Sequence, residues 1–265
     1  MDSALKKIVV LGSGNVATAL SRLLADAGHS LTVWARDVNR IADKIVKNKS
    51  VAISENFDEL PADADLYVIA VSDRAISEIA YRLKQVNGIV VHTSGTKGIE
   101  ILSETRGKDT KNGVLYPLQT ITKNIDPTSI EIPFLIEGQD GNVMEQIRAL
   151  AETISNKVFV VDSINRKKIH IAAVIANNFT NYLLGMADDF LKQTTNCDIS
   201  VLKSLLNETI RKAVSEGPVK AQTGPAVRGD RDVINEHISI LNKEDAETYR
   251  FLSEKIISKH KTAYE

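Results

Sequence analysis

Short, nearly all-apolar runs alternate with segments of helical period up to about Asp162, and after that the short runs stop. The runs are Lys7–Leu11, Leu31–Trp34, Leu66–Val71, Ile89–His92, Gly113–Tyr116, Pro133–Glu137 and Val158–Val161. They are apolar at consecutive rather than alternate positions, which predicts strands buried on both faces of a mostly parallel sheet. Helical stretches between several of them predict right-handed crossovers. The first helix is the clearest. Val16, Ala19, Leu20, Leu23, Leu24 and Ala27 share one face, and Gly28 can end it in the left-handed conformation.

Beyond Ser163 the pattern is helical, over 164–194, 199–215, 231–241 and 244–260. Between the second and third helices, residues 216–230 read Glu-Gly-Pro-Val-Lys-Ala-Gln-Thr-Gly-Pro-Ala-Val-Arg-Gly-Asp. Two Gly-Pro dipeptides and several small apolar residues predict an ordered loop, and one of this length is more often functional than a plain connection. A chain of 265 residues holds roughly two domains. The change of pattern divides it into 1–162, an α/β doubly wound sheet, and 163–265, an all-α domain.

Composition narrows the class. Thirty-three basic against 34 acidic side chains leave a net charge of −1, so no basic face for a nucleic-acid backbone is expected. A single cysteine, Cys197, excludes an intramolecular disulfide and a thiolate metal cluster, and no metal site is expected. No apolar run reaches the roughly 18 residues of a membrane span, and the first strand begins too early for a secretory signal. A soluble, cytoplasmic protein is the expectation, with no membrane and no nucleic-acid partner.

Chemistry first shows at Gly12-Ser13-Gly14-Asn15-Val16-Ala17, a G-x-G-x-x-A motif directly after a strand and opening a helix. Gly12 permits the tight turn, Gly14 lets the backbone approach a pyrophosphate, and Ala17 allows close packing of helix on strand. The phosphates would rest on free N–H groups at the helix start. A bare βα turn without ligand is the competing reading. The second strand ends Val33-Trp34-Ala35-Arg36, with alanine where an NAD site normally carries Asp or Glu. Arg36, assisted by Arg40, can pair with a 2′-phosphate, which points to NADP; a solvated loop arginine is the alternative.

The next strands end in Val71-Ser72-Asp73 and His92-Thr93-Ser94-Gly95. In such sheets ligands bind beyond the carboxyl ends of strands, which makes Val71, Ser72 and Ser94 candidate cofactor contacts, although Ser72 and Asp73 also suit a helix cap. The turn Tyr116-Pro117-Leu118-Gln119-Thr120 brings Gln119 to the same edge as a candidate for cofactor or substrate.

On the long helix, Ala172, Ile175, Ala176, Phe179, Leu183, Met186 and Phe190 form an apolar face. His170, Val174, Asn177, Asn178, Asn181, Gly185 and Asp188 form an adjoining stripe. Three asparagines so close together are poor helix formers unless their amides have partners elsewhere. The stripe reads either as a pocket lining or as a polar seam between subunits. In the loop, Thr223 and Arg228 are candidate substrate contacts, Arg228 through a bidentate clamp on a carboxylate or phosphate. Asp230 suits a helix N-cap, and His237, two turns on, would face the pocket or solvent.

Together, the GxGxxA half, the His-Thr-Ser-Gly strand end, the Tyr-Pro-Leu-Gln-Thr turn, the His170 to Asn178 helix and Thr223-Gly224-Pro225…Arg228-Gly229-Asp230…His237 resemble one family. It is the Rossmann-like NADP oxidoreductase family whose helical C-terminal domain has no assigned function. It is similar to ketopantoate reductase, pyrroline-5-carboxylate reductase and the β-hydroxyacid dehydrogenases. The resemblance spans essentially the whole chain. It implies a Rossmann-type domain with a 6-phosphogluconate dehydrogenase-like helical partner, a substrate bound between the domains, and a homodimer. One departure stands out. β-Hydroxyacid dehydrogenases place a lysine and an asparagine one turn apart on this helix, whereas here Lys167 and Lys168 lie nine or ten residues before Asn177 and Asn178. His170 is the nearest substitute.

These readings converge on reduction of a small carbonyl or imine by NADPH. His170 would be the proton donor, histidine being the side-chain type suited to proton transfer near neutrality, and Asn178 would orient the substrate or donate to developing charge. Asn177 and His237 join Gln119, Thr223 and Arg228 as candidate substrate contacts. Two rivals use the same cradle: a non-catalytic NADP(H) sensor or partner-binding protein, and a deazaflavin-dependent NADP oxidoreductase.

Overall fold

The computed structural model describes residues 6–41, 51–107, 110–122 and 126–263. Contacts divide the chain into two compact units, 1–177 and 178–265. The division falls within the long helical stretch, beyond the change of sequence pattern at 162.

The first unit is built on an eight-stranded sheet. The strands are β1 (Lys7–Leu11), β2 (Ser30–Trp34), β3 (Val51–Ser54), β4 (Leu66–Ile69), β5 (Ile89–His92), β6 (Asn112–Pro117), β7 (Phe134–Gly138) and β8 (Val158–Val160). Their order is β3-β2-β1-β4-β5-β6-β7-β8. Every pairing is parallel except β6 with β7. All seven predicted strands are present, and the eighth, β3, is an edge strand that is only half buried. A parallel sheet must be covered on both sides. Helices α1 (Asn15–Asp26) and, after α2 (Ile76–Arg82) and α3 (Glu100–Arg106), α4 (Gly141–Ala151) share an apolar cluster with Val10, Val68 and Ile136. Helices α2 and α3 join the cluster around Val9, Leu11, Tyr67 and Val90. Gly28 follows α1 at φ +90°, the turn expected there.

The stretch 164–194 is not one regular helix. Helix α5 (Ser163–Ala173) passes into a π-helical turn, Val174–Phe179, and then into α6 (Thr180–Thr194). The wider turn breaks the 3.6-residue phase, so the predicted stripe from His170 to Asp188 does not continue as one face. Nor is the predicted apolar face covered: Ile175 and Phe179 are 55% and 58% exposed. The second unit continues with α7 (Lys203–Glu216), the short α8 (Pro218–Ala221) and α9 (Pro225–Arg228), α10 (Arg231–Ile240) and α11 (Lys243–Ala263). The Gly-Pro loop is ordered, each proline opening one of the short helices. Asp230 caps α10 as expected, accepting from Val233 N at 3.3 Å.

Candidate active site

Because β1, β2, β4, β5 and β6 run parallel, their carboxyl ends share one edge of the sheet, and the chemistry of the first unit collects there. At the end of β1, Gly12 has φ +137° and donates its N–H to the Trp34 carbonyl at 2.8 Å. A Cβ on it would collide with the Ala70 carbonyl and lie 3.4 Å from Ala17 Cβ, so a side chain is excluded at 12 and only a small one fits at 17. Gly14, the N-cap of α1, has open space where a side chain would be and supplies no cap of its own. Main-chain N–H groups at a helix start with room above them fit a pyrophosphate. Ser13 and Val16 are half buried, and the exposed Asn15 donates from Nδ2 to the Ile121 carbonyl at 2.8 Å, bracing the turn against the loop after β6.

Past β2, Ala35 is buried and Arg36 exposed. Close by, Asp37 Oδ1 accepts from Asn39 N and Glu55 Oε1 from Val38 N. The side chain of Arg40 lies outside the described residues. Past β4, Val71 is half buried and Ser72 exposed. Ser72 occupies the N-cap of the short turn Asp73–Ala75 but makes no side-chain cap bond. Asp73 turns instead to Thr96, whose Oγ1 donates to Oδ2 at 2.5 Å.

Past β5 the chain folds back on itself. Ser94 Oγ accepts from Thr96 N and Lys97 N, so this hydroxyl shapes the loop. His92 is fully buried, its Nδ1 accepting from Ser94 N–H while Nε2 faces the Gly98 carbonyl at 3.2 Å. Burial, and then the Arg166 cation, push its pKa down to about 4. It is a neutral structural imidazole.

A second histidine is placed differently. His170 Nδ1 lies 2.9 Å from Tyr116 Oη, with the rings edge to face. Gly95 presses on both: a Cβ there would stand 2.6 Å from His170 Nδ1 and 2.9 Å from Tyr116 Cζ. Burial raises the Tyr116 pKa, with Arg166 opposing, so the phenol stays protonated near neutrality. One turn before His170, the wholly buried Arg166 bonds Glu137 Oε2 at 2.5 Å, the Lys97 carbonyl at 2.6 Å and Ser163 Oγ at 3.1 Å. Ser163 Oγ also donates to Glu137 and accepts from Ile99 N. This network ties the start of α5 to β7 and to the loop after β5, which fixes where His170 stands.

The structure thus brings together the Gly12–Ala17 turn, Arg36, Val71, Ser72, Ser94 and His170 as residues of one unit. Gln119 is exposed, its amide donating to the Glu131 carbonyl at 3.0 Å and accepting from Thr120 N at 2.8 Å. Asn177 and Asn178 are exposed on the π-turn, the last residue of one unit and the first of the next. In the second unit Thr223, Arg228 and His237 are all exposed, and His237 Nδ1 meets Tyr249 Oη at 2.7 Å. Sequence reasoning missed Tyr116, Gly95, Glu137 and Arg166 as parts of the site. Tyr116 and Gly95 stood in motifs already singled out, and only their pairing with α5 was hidden. Among the described residues no cluster of three or more metal-ligating side chains occurs, and no helix is long and apolar enough to cross a membrane.

Two family profiles match the chain, and the second begins within the first unit and runs on into the second unit. The profile of the NAD-dependent glycerol-3-phosphate dehydrogenase N-terminus matches residues 7–116, and that of the domain of unknown function DUF2520 matches 132–256. A glycerol-3-phosphate dehydrogenase [NAD(P)+] from Thermoanaerobacter sp. (strain X514) is 35% identical over 109 residues, 36% of this chain and 32% of its own length. The chain therefore spans about a third of the length of the curated relatives it matches. A crystal structure from Bacteroides fragilis, provisionally described as an NADP oxidoreductase, superposes with a TM-score of 0.85 at 32% identity. That match covers 96% of this chain and 98% of the other. A Thermotoga maritima protein shares the fold, with a TM-score of 0.71, 21% identity, and coverage of 97% and 100%.

Proposed function

Since the chain belongs to the Rossmann-type NAD(P) oxidoreductase family that carries the DUF2520 region, we propose that it is an NADPH-dependent reductase of small carbonyl or imine compounds. The observation that carries this reading is the Tyr116–His170 pair beside Gly95, in the same unit as the uncapped Gly12–Ala17 turn. When bound, the dinucleotide supplies hydride. The chain supplies the rest. Gly12, Ser13, Gly14 and the first N–H groups of α1 hold the pyrophosphate, and Arg36 takes the 2′-phosphate. Val71, Ser72 and Ser94 flank the cofactor. His170 gives a proton from Nε2 to the oxygen or nitrogen on which charge develops. Asn178 donates to that charge, and Asn177, Gln119, Thr223, Arg228 and His237 are the substrate contacts.

A homodimer accompanies this reading. Ile171 and Ile175 in the first unit, and Phe179, Tyr182, Leu205 and Val214 in the second, are all more than half exposed, as expected of surfaces covered by another copy. Solution mass tests it, and a monomer at micromolar concentration contradicts it.

The test of function is paired. Calorimetry should show NADPH binding more tightly than NADH, with Arg36→Ala removing the preference. A panel of small carbonyl and imine compounds should then oxidise bound NADPH. Tight NADPH binding with no hydride transfer to any compound would favour a sensor instead.

A further inference from the structure

We infer that Tyr116 is the positioning residue that locks His170 in the tautomer carrying its proton on Nε2. The inference rests on the reading of His170 as proton donor and says how that donor is prepared.

A neutral imidazole has one N–H, and the bond made by one ring nitrogen decides which nitrogen keeps it. Tyr116 Oη lies 2.9 Å from His170 Nδ1. The phenol has a proton to give, and with Tyr116 as the donor of this bond Nδ1 is the acceptor. Nε2 carries the hydrogen and is the nitrogen left for substrate.

Three further features hold the pair. The ring edge-to-face contact, with centroids 5.8 Å apart at 74°, fixes the angle at which the phenol addresses the imidazole. Gly95 lies against the pair, where any Cβ would enter the space of both rings. Arg166, bonded to Glu137, Ser163 and the Lys97 carbonyl, sets the rotation of α5 one turn before His170. The bond also solves a chemical problem. Neutral imidazole can release its Nε2 proton only if Nδ1 gains one. As Nε2–H passes to substrate, the Tyr116 O–H proton passes to Nδ1, and the phenolate left behind regains a proton from water. The Arg166 cation, which acts on this phenol, favours that phenolate.

The experiment reads the ring directly. The five histidines allow His170 to be assigned in 15N-labelled full-length protein by the signals that vanish in His170→Ala. Long-range 1H–15N correlation above pH 8 should show a pyridine-like Nδ1 and a pyrrole-like Nε2. In Tyr116→Phe the two nitrogens should move toward a mixed-tautomer average, with NADPH affinity within about two-fold of wild type and kcat lower by about ten- to a hundred-fold. A protonated Nδ1 in the wild type, or a spectrum unchanged in Tyr116→Phe, overturns the inference. If that variant does not fold, the wild-type spectrum alone decides it. Because the readout needs no turnover, a locked ring together with a fully active His170→Ala supports the lock while sinking only the proposed proton donor.

Discussion

Among the described residues are two tyrosine–histidine pairs of nearly the same local geometry. Tyr116–His170 and Tyr249–His237 have oxygen–nitrogen separations of 2.9 and 2.7 Å, ring centroids 5.8 and 5.7 Å apart, and interplanar angles of 74° and 81°. Their settings differ. The first joins a strand end to α5, with Gly95 against both rings and a buried Arg166 one turn away. The second joins α10 to α11 with its imidazole exposed. In both, burial raises the tyrosine pKa, but only Tyr116 has a cation opposing it. A hydrogen bond alone does not make a proton-transfer site. What surrounds it decides whether the ring is held, dry and aimed.

The comparison is broken most directly by removing each imidazole. His170→Ala should lower kcat by about 10²- to 10⁴-fold, the usual worth of a general acid. His237→Ala should leave kcat within about three-fold and act on KM, as a contact outside the chemistry does. Equal losses in kcat would erase the distinction.

Removing the support comes next. Arg166→Met leaves Glu137, only 16% exposed, without its cation and should cost about 3–5 kcal/mol in urea unfolding. Adding Glu137→Met should recover much of that stability, because the uncompensated charge goes with it. The surface pair Arg211–Glu208 is the control, and Arg211→Ala should leave the urea midpoint unchanged.

A third test uses pH. His92 is neutral in the folded state, with a pKa near 4 against an ordinary 6.5, so between these values the unfolded chain binds more protons. Stability should therefore be complete above about pH 6.5 and fall by up to about 3 kcal/mol as pH drops toward 4. His92→Asn should flatten this part of the curve, and an unchanged slope would mean that other groups carry it. The smallest effect is expected of Arg36→Ala, which should weaken NADPH binding about ten-fold and leave NADH unaffected.

Much of the first unit was legible because its signals are local. Seven strands showed as continuous apolar runs, and the turn after β1 has the glycines and alanine its sterics require. The strand Val51–Ser54 escaped because a four-residue edge strand with no fully buried position lacks the continuous run that marks the others. The π-turn escaped because a change of hydrogen-bond register has no side-chain signature; the costly asparagines at 177, 178 and 181 were its only hint. Tyr116 and His170 lie 54 residues apart, and no periodicity connects a strand end to a later helix. Arg166 carries no mark in the sequence that sets it apart from other helix cations, yet it is wholly buried. Its role comes from Glu137 and the Lys97 carbonyl, which only the folded sheet brings to it.

The central claim is that the unit holding the dinucleotide turn also delivers the proton. The most direct measurement is the loss of dihydronicotinamide absorbance when NADPH-loaded protein meets a panel of small carbonyl and imine compounds, with wild type and His170→Ala side by side. Wild type should oxidise NADPH with at least one compound, and the variant, binding NADPH equally well, should do so at least about a hundred-fold more slowly. Oxidation by His170→Ala at the wild-type rate would contradict the claim.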